Sequence, residues 1–175
     1  ITALQTIVSR NTNPLESTVV TVGMMEGGTN FNIIPHHAKL KGTARAYTEE
    51  NRNLIKQRMA EITAGVAATY GAKITLDYQD GYPPTINADE QAQVLLEAAQ
   101  KIVGPNEAGY PYLSMGGEDF SYFAQKVPGC YFLVGSAPLD REPMSVPHHC
   151  SHFDIDERAL LVGASVFVQV IEDRL

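Results

Sequence analysis

The densest run of chemically capable side chains is Pro147-His148-His149-Cys150-Ser151-His152-Phe153-Asp154-Ile155-Asp156-Glu157. His148, His149 and His152 are three of the chain's five histidines, and Cys150 is one of its two cysteines. Neutral imidazole is the commonest side-chain ligand for zinc-like metals, so the stretch reads as a metal-binding loop. A solvated histidine-rich loop is the bland alternative. The stretch follows an apolar run, Tyr131 to Val134, and precedes an amphipathic pattern for which Asp154 or Asp156 is the expected cap. Open α/β sheets carry their ligands on such loops, between the carboxyl end of a strand and a helix. A second run, Met115-Gly116-Gly117-Glu118-Asp119-Phe120, places two glycines before two acids. Gly116 and Gly117 allow close backbone approach to a ligand, and the acids suit the first turn of a short helix, which is also the bland account of them.

The elements that must carry these runs follow from periodicity. Ile1, Leu4, Ile7 and Val8 repeat at helical spacing, giving a helix that ends near Arg10. Ser17 to Met25 alternates with Val20, Val22 and Met24 on one face, and Ala38 to Tyr47 alternates more cleanly, with Leu40, Gly42, Ala44 and Ala46 opposite Lys39, Lys41, Thr43, Arg45 and Tyr47. Thr48 is the expected N-cap of a helix with Glu49 and Glu50 in its first turn; Gly71 stops it after Tyr70. Ile74, Leu76 and Tyr78 predict a further strand, closed by Gly81-Tyr82-Pro83-Pro84. That order, α-β-β-α-β, is a split β-α-β module without its first strand. Asp89 is then expected to cap a helix ended by Gly104-Pro105. A short helix runs from the Gly116-Gly117 turn to about Gln125, Tyr131 to Val134 forms a strand buried on both faces, and a last helix spans Glu157 to Glu172 with Leu160, Leu161, Ala164, Phe167, Val168 and Ile171 inward.

Bulk properties exclude several classes. The net charge of -7 leaves no basic cluster to track phosphates, which argues against nucleic acid. No apolar run approaches the roughly 18 residues that cross a bilayer. Two cysteines are too few for a disulfide scaffold and fit a reducing, cytoplasmic setting. The first residues lack the basic region of a signal peptide, and the chain reads as though cut from something longer.

Four motifs occur in one order: Gly27-Gly28-Thr29-Asn30-Phe31-Asn32-Ile33-Ile34-Pro35, Gly42-Thr43-Ala44-Arg45, Met115-Gly116-Gly117-Glu118-Asp119-Phe120, and His149-Cys150-Ser151-His152-Phe153-Asp154-Ile155-Asp156-Glu157. Together they resemble the metallo-amidohydrolase family of aminoacylases, hippurate hydrolases and auxin-conjugate hydrolases, related to the glutamate carboxypeptidases. The resemblance implies an α/β protein. Residues 1–86 would be most of a ferredoxin-like lid, a dimerisation domain, and residues 87–175 the C-terminal segment of a doubly wound catalytic domain. It implies two divalent metals per active site (zinc, manganese, nickel or cobalt) and hydrolysis of the amide of an N-acyl amino acid, hippurate-like, or a related dipeptide. His149 takes the place of the family's last metal ligand, with His148 second in line. His152 and Cys150 read as loop residues, and His36 and His37 as surface residues. Asn32 and Arg45 match lid residues that bind the substrate carboxylate, for which the guanidinium fork is suited. The bland readings are a turn-former for Asn32 and a solvated strand charge for Arg45. Gly116 and Gly117 complete the substrate-binding set. The remaining ligands and the general-base Glu match nothing in the chain and are expected upstream of residue 1. The alternative is therefore a non-catalytic dimerisation fragment, or a carboxylate-binding module without hydrolysis. A homodimer through the lid, with no nucleic-acid or membrane partner, completes the expectation.

Overall fold

The computed structural model describes residues 1–109, 112–138 and 148–175. Two compact units emerge: Ile1–Pro84 with Ser114–Glu118, and Thr85–Leu113 with Asp119–Leu175. The return of residues 114–118 to the first unit is a pairing no linear boundary anticipates.

In the first unit, helix α1 (Thr2–Thr6) continues into a wider π-helical turn (Ile7–Asn11). Strands β1 (Thr18–Gly27) and β2 (Ala38–Ala46) form an antiparallel hairpin, with Thr18 opposite Ala46 and Gly27 opposite Ala38. The register shifts between Val22 and Met24, so Gly23 is the extra residue of a bulge. Beyond that bulge the alternation expected for Met24 fails, and Met24 and Met25 are both exposed. Across the ladder, Gly42 has no alternative: a Cβ there would lie 2.1 Å from the Thr21 carbonyl oxygen.

Helix α2 (Glu49–Tyr70) begins where expected. The Thr48 side chain accepts a hydrogen bond from the Asn51 amide at 3.2 Å, and Gly71 ends the helix in the left-handed conformation, φ 61°. Its stripe of Ile55, Met59 and Ile62 meets Ile7 and Val20 to make the core, with Leu4, Val8, Ala44 and Ala46 around it. Burial of Ala44 and Ala46 turns Arg45 away from that core, as strand alternation requires. The buried polar groups are satisfied: Asn51 donates to the Glu16 carboxylate, and Thr18 to the Thr12 hydroxyl at 3.1 Å.

Helix α3 (Asp89–Val103), the short α4 (Phe120–Ala124) and α5 (Arg158–Glu172) make up the second unit. Ala88, not Asp89, occupies the cap position of α3, and its amide donates to the Gly129 carbonyl at 2.9 Å. α3 and α5 pack together, tied by the Lys101–Asp173 ion pair. The inward face of α5 differs from expectation. Val166 is buried and Val162 half-buried, whereas Leu161 is 73% and Phe167 60% exposed. α5 carries a wide apolar arc interrupted by one polar stripe, Arg158, Ser165, Gln169 and Glu172, and only part of that arc is buried.

Two expected strands are absent. Residues 72–88 and 128–138 form no helix or strand, and among the described residues only β1 and β2 pair. Alternation or apolarity prepares a segment for a ladder, but the ladder itself needs a neighbour's backbone. A substitute partly serves Tyr131: the Asn87 side chain accepts from its amide and donates to its carbonyl, both at 2.8 Å.

Gly42→Ala is expected to destabilise the first unit by about 1–3 kcal/mol, through overpacking against backbone that cannot yield. A thermal midpoint equal to that of the unsubstituted chain would contradict the close approach of β2 to Thr21.

Candidate functional site

Arg45 is the best-defined of the candidate groups. Near the end of β2, opposite Val19, its Nη1 donates to the Met115 carbonyl at 2.5 Å. The bond uses one of five donors on the guanidinium fork. It joins two motifs 70 residues apart in sequence and places Arg45 beside Gly116 and Gly117. Neither glycine has a positive φ. Space, not backbone conformation, is what they supply: a Cβ on Gly117 would lie 3.1 Å from Cδ2 of the Tyr82 ring, and one on Gly116 would lie 3.1 Å from the Ser114 hydroxyl. That hydroxyl also accepts from the Gly116 amide at 3.0 Å. An open cleft of about 380 Å³ lies next to the contact, lined by Thr12, Glu16, Thr18, Tyr47 and Met115 among others.

Asn32 lies elsewhere. It sits in the connection between Gly27 and Ala38, at the far end of the hairpin from Arg45. The ladder from Ala38 to Arg45 is roughly 23 Å long at about 3.3 Å per residue. One chain therefore does not present Asn32 and Arg45 to the same small carboxylate. His36 and His37, in the same connection, are exposed.

Tyr82 is the neighbour of this group that sequence reasoning treated only as part of a turn. Arg52 bonds Glu49 at 2.7 Å through Nη1 and the Gly81 carbonyl at 2.9 Å through Nη2. Lys56 pairs with Asp80 and stands 5.4 Å over the Tyr78 ring. Burial first, then the Asp80 carboxylate, pushes the Tyr78 phenol above its ordinary value, against the opposing charges of Arg52 and Lys56. The basic side chains of the first turns of α2 thus hold the segment that delivers Tyr82. Two basic residues four apart, followed by Asp80-Gly81 before a double proline, were the available signal.

The histidine loop lies in the second unit. Pro147 and the polar loop before it, residues 139–147, fall outside the described residues, as do Tyr110 and Pro111. His149 has φ 67°, a left-handed conformation that only a few per cent of non-glycine residues adopt and that concentrates at functional sites. The His148 ring lies 4.7 Å from Phe153 and 6.3 Å from His149, and the Ser151 hydroxyl is 3.2 Å from His152 Nδ1. Cys150 is half-buried and not in a disulfide. Among the described residues no three His, Cys, Asp or Glu side chains converge on a point that could hold a metal ion. A zinc site takes three or four protein ligands, so these residues do not build one by themselves; His149 could supply a single nitrogen.

Asp156 anchors the start of α5. It accepts from the Arg158 amide at 3.0 Å and grips the Arg158 guanidinium through both oxygens, and its own amide donates to the Ser136 carbonyl at 2.8 Å. These Arg158 hydrogen bonds hold its carboxyl down to about 2.

A two-stranded antiparallel hairpin on helices, joined to a helical unit with a strained histidine loop, is a mixed α/β protein. Residues 2–173 match the family described as Peptidase family M20/M25/M40, and the chain belongs to that family. It is 36% identical to N-acetyl-L-cysteine deacetylase of Bacillus subtilis, over 100% of this chain and 40% of that protein. It is 34% identical to IAA-amino acid hydrolase ILR1-like 4 of Arabidopsis thaliana, over 95% and 38%. The Bacillus subtilis YXEP protein, described as a dinuclear metal binding peptidase from the M20 family, superposes with a TM-score of 0.67 at 28% identity, over 97% of this chain and 44% of its own. The chain thus spans about two fifths of the length of the curated relatives it matches. No described helix is long and apolar enough to cross a membrane.

Because the folded-state value of Asp156 lies below the unfolded one, its contribution to stability is present above the ordinary carboxylate range and is lost as pH falls through about 2. In Arg158→Met the Asp156 carboxyl should titrate back near its ordinary value by NMR. Titration that stays near 2 would mean another group sets it.

Proposed function

We propose that residues 1–86 are the lid and residues 87–175 the C-terminal catalytic segment of a metal-dependent amidohydrolase. Its substrates are N-acyl amino acids, hippurate-like, or a related dipeptide. The observation that carries this reading is the placement of Arg45: a guanidinium fork on the outward face of a short strand, fixed beside two glycines. A cation fixed in this way binds a carboxylate bidentately, with the backbone of the glycine turn next to it. The names of two relatives, referring to N-acetyl-L-cysteine and to IAA-amino acid, support an acylated amino acid as substrate.

In this reading Arg45 binds the substrate's free carboxylate, the Gly116-Gly117 backbone lies along the scissile amide, and Asn32 orients substrate. Since Asn32 and Arg45 stand at opposite ends of one hairpin, they share a substrate only if Asn32 comes from a second copy; the homodimer through the lid gives that arrangement. His149 is one of the ligands to a pair of divalent metals, zinc, manganese, nickel or cobalt. When bound, these metals lower the pKa of the attacking water. The other ligands and the general-base Glu lie outside residues 1–175. We assign the protein to the cytoplasm, where two unpaired cysteines stay reduced.

Arg45→Ala in the full protein should raise KM for hippurate roughly tenfold or more, the loss expected for a charge-assisted bidentate pair, with kcat changed less. An unchanged KM would remove Arg45 from substrate binding. Chelation should abolish hydrolysis, and metal restoration should recover it.

The lack of a three-ligand cluster among the described residues favours one other reading, a dimerisation or carboxylate-binding module without hydrolysis. Metal content after dialysis separates the two. Bound metal together with free amino acid released from hippurate excludes the module.

A further inference from the structure

We propose that Tyr82 is a positioning residue whose ring, packed on Gly117, fixes the Met115-Gly116-Gly117 turn against Arg45. The proposal rests on the carboxylate-binding reading above and deepens it by naming what holds the substrate-facing turn in place. Arg45 draws the turn from one side, through the Met115 carbonyl. Tyr82 limits it from the other: ring atoms Cδ2 and Cε2 stand 3.1 and 3.8 Å from where a Gly117 Cβ would be. Ser114 pins the middle by accepting from the Gly116 amide. A turn held at three points keeps its amides in one place, and a substrate amide beside it meets preorganised backbone.

The position of Tyr82 is itself determined by two features. Upstream, Arg52 and Lys56 fasten Gly81 and Asp80 to α2. Downstream, Pro83 and Pro84 fix their own φ, and Pro83 confines Tyr82 to extended backbone. Pro83 is buried, which anchors the downstream end. Tyr82 as a residue is 52% exposed, more than one kept only for core packing requires. The structure thus links the capped first turns of α2, through residues 80–82, to the glycines that face substrate.

A size swap in the full chain tests this. Gly117→Ala should raise KM for an N-acetyl amino acid roughly tenfold, with a smaller change in kcat, and lower the thermal midpoint, because the added methyl meets the Tyr82 ring. Tyr82→Ala in the Gly117→Ala background removes the obstacle and should recover most of the lost midpoint. KM should improve over Gly117→Ala but stay above that of the unsubstituted enzyme, because the turn has lost its stop. Tyr82→Ala alone should raise KM while moving the midpoint little. A double variant no more stable than Gly117→Ala overturns the contact. A Tyr82→Ala enzyme of unchanged KM overturns the positioning role. If the unsubstituted protein cleaves no acylated amino acid, the functional reading fails on its own, and the midpoints of the same three variants still decide whether Tyr82 holds Gly117.

Discussion

The first unit depends on the burial of Ile7, Val20 and Ile55 in one cluster. Each comes from a different element, so the contact fixes the π-helical turn after α1, the hairpin and α2 together. Once Val20, Ala44 and Ala46 face that cluster, the period of two leaves Arg45 no inward choice. The outward guanidinium is a consequence of apolar burial on the other side of the strand. Helix α2 is used twice: one face closes the core through Ile55, Met59 and Ile62, while Arg52 and Lys56 hold residues 80–82. A polar network and an apolar stripe on the same helix thus cooperate in placing Arg45 and Tyr82 around one turn.

Helices were the legible part of this sequence. Thr48 and Gly71 mark the ends of α2 because a cap and a left-handed glycine satisfy the helix's own orphan groups, a local matter. β1 and β2 were legible because their partners lie close in sequence. The segments around Ile74 and Tyr131 alternate or run apolar as strands do, but a ladder depends on a neighbour that local pattern does not specify. α5 differs: its apolar arc is wider than the face that is buried, so spacing does not say whether Val162 and Val166 or Leu161 and Phe167 turn inward.

The candidate site divides in the same way. Arg45 was readable from strand parity, and its partner Met115 was not, because no periodic rule links residues 70 positions apart. For the two glycines, the property expected and the property observed differ. Gly116 and Gly117 were read as freedom for a ligand to approach, whereas the structure shows Ser114 and Tyr82 already using that space. Gly42 is simpler, since only the carbonyl of Thr21 stands where its side chain would be.

His149 presents the opposite case, a residue whose type was legible and whose conformation was not. Its positive φ costs of order 1–3 kcal/mol unless the surroundings compensate. Histidine adopts this conformation several-fold more often than most residues, so the positive φ marks a turn as readily as it marks a site. In the metal-ligand role proposed for it, the same turn would aim the ring. One aimed imidazole is still only one ligand. No three His, Cys, Asp or Glu side chains converge among the described residues, so the role proposed for His149 is contributory: one nitrogen, with recognition left in the same proposal to Arg45 and the glycine turn.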